Sequence, residues 1–351
     1  MTAKRGVPAR SPRRRNGPTL AEIAKQLGVS TVAVGLALNG RPGVGEELRA
    51  AAHKLARELG YRPNYAARAL RTVRSQMMGV IYRNLHNSAF SSLIEGFDEV
   101  CNSRGYHVML GSSRLDPERE ISLIESFAGR EIDGLAIVAL DENAAEEAWR
   151  RTGDRPLAFL SSSVVPTAPK TFAVRAEETA AVVRSVEHLA ALGHRRIALM
   201  TGTQRFPTGP QREQTFRAVA GEHDVEPLLV AAGWDLEEAR QELARTLSAP
   251  ADRRPTAVIA NSDRLALAVY LATRDVGLDV PGDVSVIGHD DTEFAQALGP
   301  PLTTFSTDHR QIGVRAAEQL IDIAEGGAVT QRHTVVPVTL VVRGSTAPPR
   351  R

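Results

Sequence analysis

Cysteine is nearly missing from this chain. Of 351 residues only Cys101 carries a thiol, so an intrachain disulfide framework and a cysteine-based zinc site are both excluded. A lone cysteine of this kind is expected to sit inside as a small hydrophobe. No apolar run approaches the 18 or so residues of a membrane span, so none is expected. The basic N-terminus lacks the apolar stretch of a secretory signal, which makes a cytoplasmic location the expectation. Enzyme signatures are also missing. There is no G-x-G-x-x-G after a strand, no G-x-x-x-x-G-K-[ST], no G-x-S-x-G and no H-E-x-x-H. The nine histidines are scattered without metal-ligand spacing, and no cofactor or metal is expected.

Net charge is small as well, +2 overall, but that balance conceals an asymmetry. Residues 1–76 hold 15 Lys and Arg against 4 Asp and Glu, whereas the other 275 residues hold 28 against 37. A cationic end on an otherwise acidic chain points to a polyanion partner. Nucleic acid leads, because its affinity scales with the number of phosphates neutralised. A membrane surface is the weaker candidate, since no aromatic or amphipathic anchor accompanies the basic residues.

What is present begins with a basic arm, residues 1–18, rich in Arg, Pro and Gly and expected to be disordered. It either grips phosphate weakly or serves only as a solubilising extension. Residues 19–63 read as three helices. Thr19 and Glu22 stand at capping-box spacing, Leu20, Ile23, Ala24 and Leu27 form one apolar face, and Gly28 supplies a C-terminal cap. Ser30 is placed to cap a second helix over 31–38, and a third spans roughly 45–59. Two short helices joined by a tight glycine turn and braced by a third describe a helix-turn-helix domain; any small three-helix bundle is the alternative. Residues 64–76 carry too few apolar groups to hold a helix alone, so this linker is expected to fold only against a partner subunit or DNA.

From Met77 the pattern becomes short apolar strands (MMGVIY, YHVMLG, GLAIVAL, PLAFL, RIALMT, TAVIAN, DVSVIG, TVVPVTLVV) alternating with amphipathic helices. That alternation means βαβ units and doubly wound parallel sheets, and about 270 residues exceed one comfortable sheet domain, so two lobes are expected.

Five motifs in order, IAKQLGVSTVAVGLALNG, ELGYRPN at 58–64, ALGHRRIA at 191–198, DVSVIGHDDT at 283–292 and PLTTF at 301–305, resemble the lactose-repressor (LacI/GalR) family from Thr19 to about Arg343. The resemblance implies an all-α helix-turn-helix headpiece and a two-lobed α/β core like that of periplasmic binding proteins. It also implies a homodimer that binds double-stranded operator DNA as a repressor, and a small-molecule effector between the lobes. The lobes are expected at about 77–174 with 306–336 and at about 175–305 with 337–345, followed by a tail, 346–351. Because TAPPRR stands where an apolar heptad tail would build a tetramer, a dimer is expected.

Carried over by position, Thr31, Val32 and Leu36 are base-facing, and Thr19, Ser30 and Asn39 contact phosphate. Asn64 caps the hinge helix, Ala67 lies on it, and Leu70 is the residue wedged into the minor groove. The chain departs from the family in offering Val32, Gly35 and Leu36 on the reading helix, which can meet thymine methyls but cannot make a bidentate guanine contact. More specificity should therefore rest on DNA deformability. Gly45 also replaces a commonly polar, phosphate-meeting position.

Ligands of open α/β sheets bind where strand ends converge. There the resemblance places Arg212, Asp290, Trp234, Phe90 on the first cleft loop, Ser161 where an acid is common, and Ser262 where asparagine is common. Thr215 replaces the glycine of the R-x-x-G-F motif and Phe216 keeps its aromatic. His289 is either a ligand contact or packing. A sugar or related polyol is the expected effector. A soluble α/β enzyme, or a sugar-binding protein fused to a DNA-binding domain, is the competing reading.

Overall fold

The computed structural model describes residues 18–38, 40, 42–61, 74–84, 88–162, 165–202 and 209–350. The chain divides into two compact units, Met1–Val73 and Arg74–Arg351. The basic arm up to residue 17, Asn39, Asn64, Ala67 and Leu70 lie outside the described residues.

In the first unit, α1 (Leu20–Leu27), α2 (Thr31–Leu38) and α3 (Glu46–Glu58) surround a small core. The capping box forms as the spacing predicts: the Glu22 amide donates to Thr19 Oγ1 (3.3 Å) and the Thr19 amide to Glu22 Oε2 (2.7 Å). Gly28 ends α1 at φ 66°, the left-handed conformation that glycine adopts without steric cost. The Ala33 amide then donates to Ser30 Oγ (3.1 Å), starting α2, whose axis meets that of α1 at 104°. That angle suits a helix-turn-helix. Ile23, Ala24, Val34 and Ala56 are buried together. Among the described residues, no single helix is long and apolar enough to cross a membrane.

Among the described residues, the second unit holds twelve strands in two six-stranded sheets. β1 (Met77–Tyr82), β2 (His107–Ser112), β3 (Gly134–Ile137), β4 (Leu157–Leu160), β5 (Thr171–Ala176) and β11 (His333–Val336) form the first, in the order β11-β5-β4-β3-β1-β2. All its pairs are parallel. β6 (Arg196–Thr201), β7 (Glu226–Ala231), β8 (Ala257–Ile259), β9 (Ser285–Asp290), β10 (Thr303–Thr307) and β12 (Val338–Val341) form the second, in the order β12-β10-β9-β8-β6-β7. Only the β10–β12 pair is antiparallel there. The helices between strands are α4 (Ala89–Ser103), α5 (Pro117–Ala128), α6 (Glu142–Arg150), α7 (Glu178–Ala191), α8 (Gly209–Glu222), α9 (Leu236–Leu247), α10 (Asp263–Asp275) and α11 (His309–Ala324).

The chain passes from one sheet's lobe to the other after β5, after β10 and between β11 and β12. The first two crossings therefore fall about two residues later than the sequence reading placed them, because Thr307 still pairs with Val338 in the second sheet. The run TVVPVTLVV is not one strand. Pro337 has no amide to donate to a ladder, and the chain changes sheets there. Two further boundaries are corrected. Ser75 and Gln76 are not linker, since both their amides donate to Asp133 (3.0 and 2.8 Å) and tie them to the core. Residues 346–350 are not a free tail: Ala347 exchanges hydrogen bonds with Ser285 (3.0 Å each way), its carbonyl accepts from His194 Nε2 (3.0 Å), and Arg350 pairs with Asp283 (3.0 Å). The histidine of ALGHRRIA is thus a buried clamp on the C-terminal segment, and burial lowers its pKa. Cys101 is fully buried, its thiol pushed up to about 12 by burial.

α4 and α11 lie against each other in the first lobe. A Cβ on Gly313 would overlap the Leu93 carbonyl oxygen, and one on Gly96 would overlap that of Arg310. Glycine at both positions is what permits this approach.

Candidate nucleic-acid interface and effector cleft

On the first unit, α2 is apolar almost throughout, and its buried side is Val34 and Ala37. Thr31 and Val32 are both exposed, and Val32, at 70%, lies opposite that buried side. Leu36 is half-buried, 3.7 Å from where a Cβ on Gly43 would stand. Thr19 and Ser30 are exposed at the two helix starts. Each hydroxyl accepts a capping bond and keeps its own proton for an outside acceptor. α3 begins at Gly45 without a side-chain cap.

In the second unit, Phe90, Ser161, Arg212, Trp234, Ser262 and Asp290 all line one cavity of about 1000 Å³, open mouth included, between the two sheets. Ser161 follows β4, Ser262 follows β8, Asp290 ends β9 and Trp234 follows β7, so four strand ends converge on the space. Phe90 sits in the first turn of α4 rather than on a loop, because the helix already starts at Ala89. Phe216 belongs to the core, fully buried, and does not line the cavity.

The polar groups are not idle. Ser161 Oγ donates to Glu178 Oε1 (3.0 Å), and Glu178 Oε2 lies 3.7 Å from Arg212 Nη1, so one carboxylate of the second lobe bridges a serine of the first and the arginine. Arg212 Nε is buried and has no hydrogen-bond acceptor among the described residues. Asp290 Oδ1 is 3.0 Å from Nε2 of His309, at the start of α11, a second polar contact from lobe to lobe. Ser162 aside, Ser262 is the buried serine of the cleft; its Oγ caps α10 by accepting from Leu265 N (3.2 Å), and Asn261 beside it brings the amide that position 262 lacks. Trp234 lies over Gly202, where a Cβ would be 2.5 Å from the indole nitrogen. His289 lines the cavity and also packs on Phe305, ring centroids 6.2 Å apart, with its pKa lowered first by burial. Backbone in the left-handed region gathers here at Ser161 (φ 74°), Asp290 (109°) and Asp291 (55°). Such strain clusters at ligand sites.

Sequence reasoning missed five ionisable residues here, Arg83, Glu178, Asp263, Arg264 and His309. Arg83, directly after β1, is 8% exposed, donates from Nη2 to Ala139 O (3.0 Å), and is lowered to about 10 by burial. Glu178 and His309 open helices at the lobe crossings. Asp263, fully buried, accepts from Thr292 N (2.7 Å), Thr292 Oγ1 (2.9 Å) and Thr304 Oγ1 (2.5 Å), and burial raises it to about 7. It anchors the chain just beyond Asp290. The signal available in the sequence was position: each charge stands immediately after an apolar strand or at the first turn of the helix that follows. No group of three or more His, Cys, Asp or Glu among the described residues is arranged to hold a metal.

Comparison with known proteins finds a match in each of the two units. Residues 19–64 match the model of bacterial regulatory proteins of the lacI family, and residues 186–346 that of a periplasmic binding protein-like domain. The transcriptional regulator MalR of Streptomyces coelicolor is 32% identical over 338 residues, covering 93% of this chain and 96% of the relative. The regulator reg1 of Streptomyces lividans is 31% identical with the same coverage, and the repressor CytR of Escherichia coli is 29% identical. Among solved structures, a lac repressor dimer bound to operator and the anti-inducer ONPF superposes with a TM-score of 0.84 at 26% identity, over 95% of this chain and all of that one.

Proposed function

Since the chain belongs to the LacI family of DNA-binding transcriptional regulators, whose curated relatives are regulators and not enzymes, we propose that it is a homodimeric repressor released from its operator by a sugar or related polyol held between the lobes. The observation that carries the ligand class is the convergence of Arg212, Glu178, Asp290 and His309 around one cavity with an indole wall. Paired donors and acceptors from both lobes match vicinal hydroxyls, and an aromatic face suits an apolar ring surface. The dimer is supported by the likeness to the lac repressor dimer on its operator.

On the DNA side, Thr31, Val32 and Leu36 would meet bases and Thr19, Ser30 and Asn39 phosphates. Asn64, Ala67 and Leu70 would form the hinge contact, with the helix-turn-helix at 19–63, the hinge ending at Val73, the effector-binding core starting at Arg74, and a cytoplasmic site of action. Ligand bound to both lobes would favour one lobe arrangement over another, which is how differential affinity shifts an equilibrium.

The test combines operator binding with ligand binding. Full-length protein should bind a palindromic upstream fragment with affinity that falls steeply as salt rises, and a sugar should weaken that binding. Arg212→Ala and Asp290→Ala should each lose about 1–3 kcal/mol of sugar affinity and keep binding to random DNA. Stabilisation by purines alone, with no response to any sugar, would overturn the ligand class.

A further inference from the structure

Beside the inner cavity lies a second one of about 1250 Å³, open mouth included, lined from the first lobe by the β2–α5 and β3–α6 segments and from the second by residues 233–238. Leu115 and Trp234 line both cavities, so the indole stands where the two spaces meet.

The two spaces differ in charge. Arg83, Arg212, Arg264, His289 and His309 line the inner cavity alongside Glu178 and Asp290. The outer one is lined by Glu120, Asp141, Asp235 and Glu238, with no Lys, Arg or His lining it among the described residues. Three helices also begin there, and helix N-termini ordinarily attract anions. Each start is already closed by its own aspartate: Asp116 accepts from Glu118 N and Arg119 N (2.9 and 3.2 Å), Asp141 from Ala144 N (3.1 Å), and Asp235 from Glu237 N and Glu238 N (2.9 and 3.1 Å). Five first-turn amides are thus already bonded to carboxylates, and an arriving phosphate would meet negative charge at each of the three starts. Apolar Leu115, Ile121, Leu140 and Ala144 supply the rest of the wall, a surface that suits the mixed apolar and hydroxyl faces of a glycosyl ring.

We propose that this outer cavity is a second compartment of the effector site, taking the far ring of an uncharged, elongated ligand such as a disaccharide or glycoside and discriminating against phosphorylated sugars. The proposal rests on the sugar reading of the inner cavity and adds the length and charge of the ligand to it.

Calorimetric titration of the full-length protein tests it, using aldohexoses, aldopentoses, their α- and β-linked disaccharides and the matching sugar phosphates. At least one disaccharide should bind about tenfold or more tighter than its constituent monosaccharides, and the phosphates more weakly than their neutral parents. Ala144→Trp, at an exposed helical position lining only the outer cavity, should bring that disaccharide down to monosaccharide affinity and leave the monosaccharide unchanged. Glu238→Lys, also exposed, should raise affinity for the sugar phosphate and leave the neutral monosaccharide unchanged. A monosaccharide that binds as tightly as every disaccharide, with Ala144→Trp without effect, overturns the second compartment while leaving the sugar reading standing. A sugar phosphate that binds more tightly than its neutral parent overturns the charge argument. Absence of binding by every sugar in the panel removes the sugar reading itself.

Discussion

Asp263 sets burial against hydrogen bonding in a way that a pH series can resolve. Its carboxyl is fully buried and accepts from two hydroxyls and one amide, yet desolvation, with Asp290 nearby, raises it to about 7. In the unfolded chain an aspartate titrates at about 3.9. Between those values the folded protein keeps a proton that the unfolded chain has released, so stability falls as pH rises from about 4 to about 7 and is level above that. The whole difference is worth about 4 kcal/mol, or about 1.4 kcal/mol per pH unit in mid-window. Asp263→Asn cannot titrate and lacks this slope. Denaturant unfolding of both proteins from pH 4.5 to 7.5 measures it. The stability of the wild type minus that of the variant should fall by about 1.4 kcal/mol per pH unit. Glu120, also raised to about 7 by burial, is common to both proteins and cancels. Parallel curves would mean that Asp263 is ionised throughout and that its three donors outweigh desolvation, refuting the reasoning.

Two other outcomes are expected. Gly313→Ala should destabilise the core by about 1–3 kcal/mol through overpacking against Leu93; unchanged thermal stability would show that α4 and α11 can separate at no cost. Leu70→Ala should weaken operator binding far more than binding to random DNA, because a minor-groove wedge acts on a particular base step whereas phosphate contacts do not. Equal losses on both DNAs would remove the proposed role of the hinge.

Local chemistry was legible in the sequence. The Thr19–Glu22 box, Gly28 and the Ser30 cap each act within a few residues, so α1 and α2 could be placed before any tertiary contact was known. The alternation of apolar runs with amphipathic segments likewise implied two parallel sheets, since a strand buried on both faces must be apolar along its length. The ordered motifs from Thr19 to Arg343 carried the family, and with it the six cleft positions.

Tertiary structure decided what faces what. Ser161 reaches Glu178 only because β5 carries the chain across to the other lobe between them, and Asp290 reaches His309 only because β10 carries it back. Asp263 finds Thr304 across 41 residues. Composition around each of these groups gives no hint of its partner, because the partner lies on a different sheet strand or in the opposite lobe. Pro337 stands inside a run that reads as one strand, whereas the family resemblance puts a lobe boundary at 336–337; the pairing of its two sides with different sheets decides for the crossing. The acidic outer cavity is the clearest case. Asp141 and Asp235 are separately ordinary helix caps, and they come to line one space only when the two lobes stand face to face.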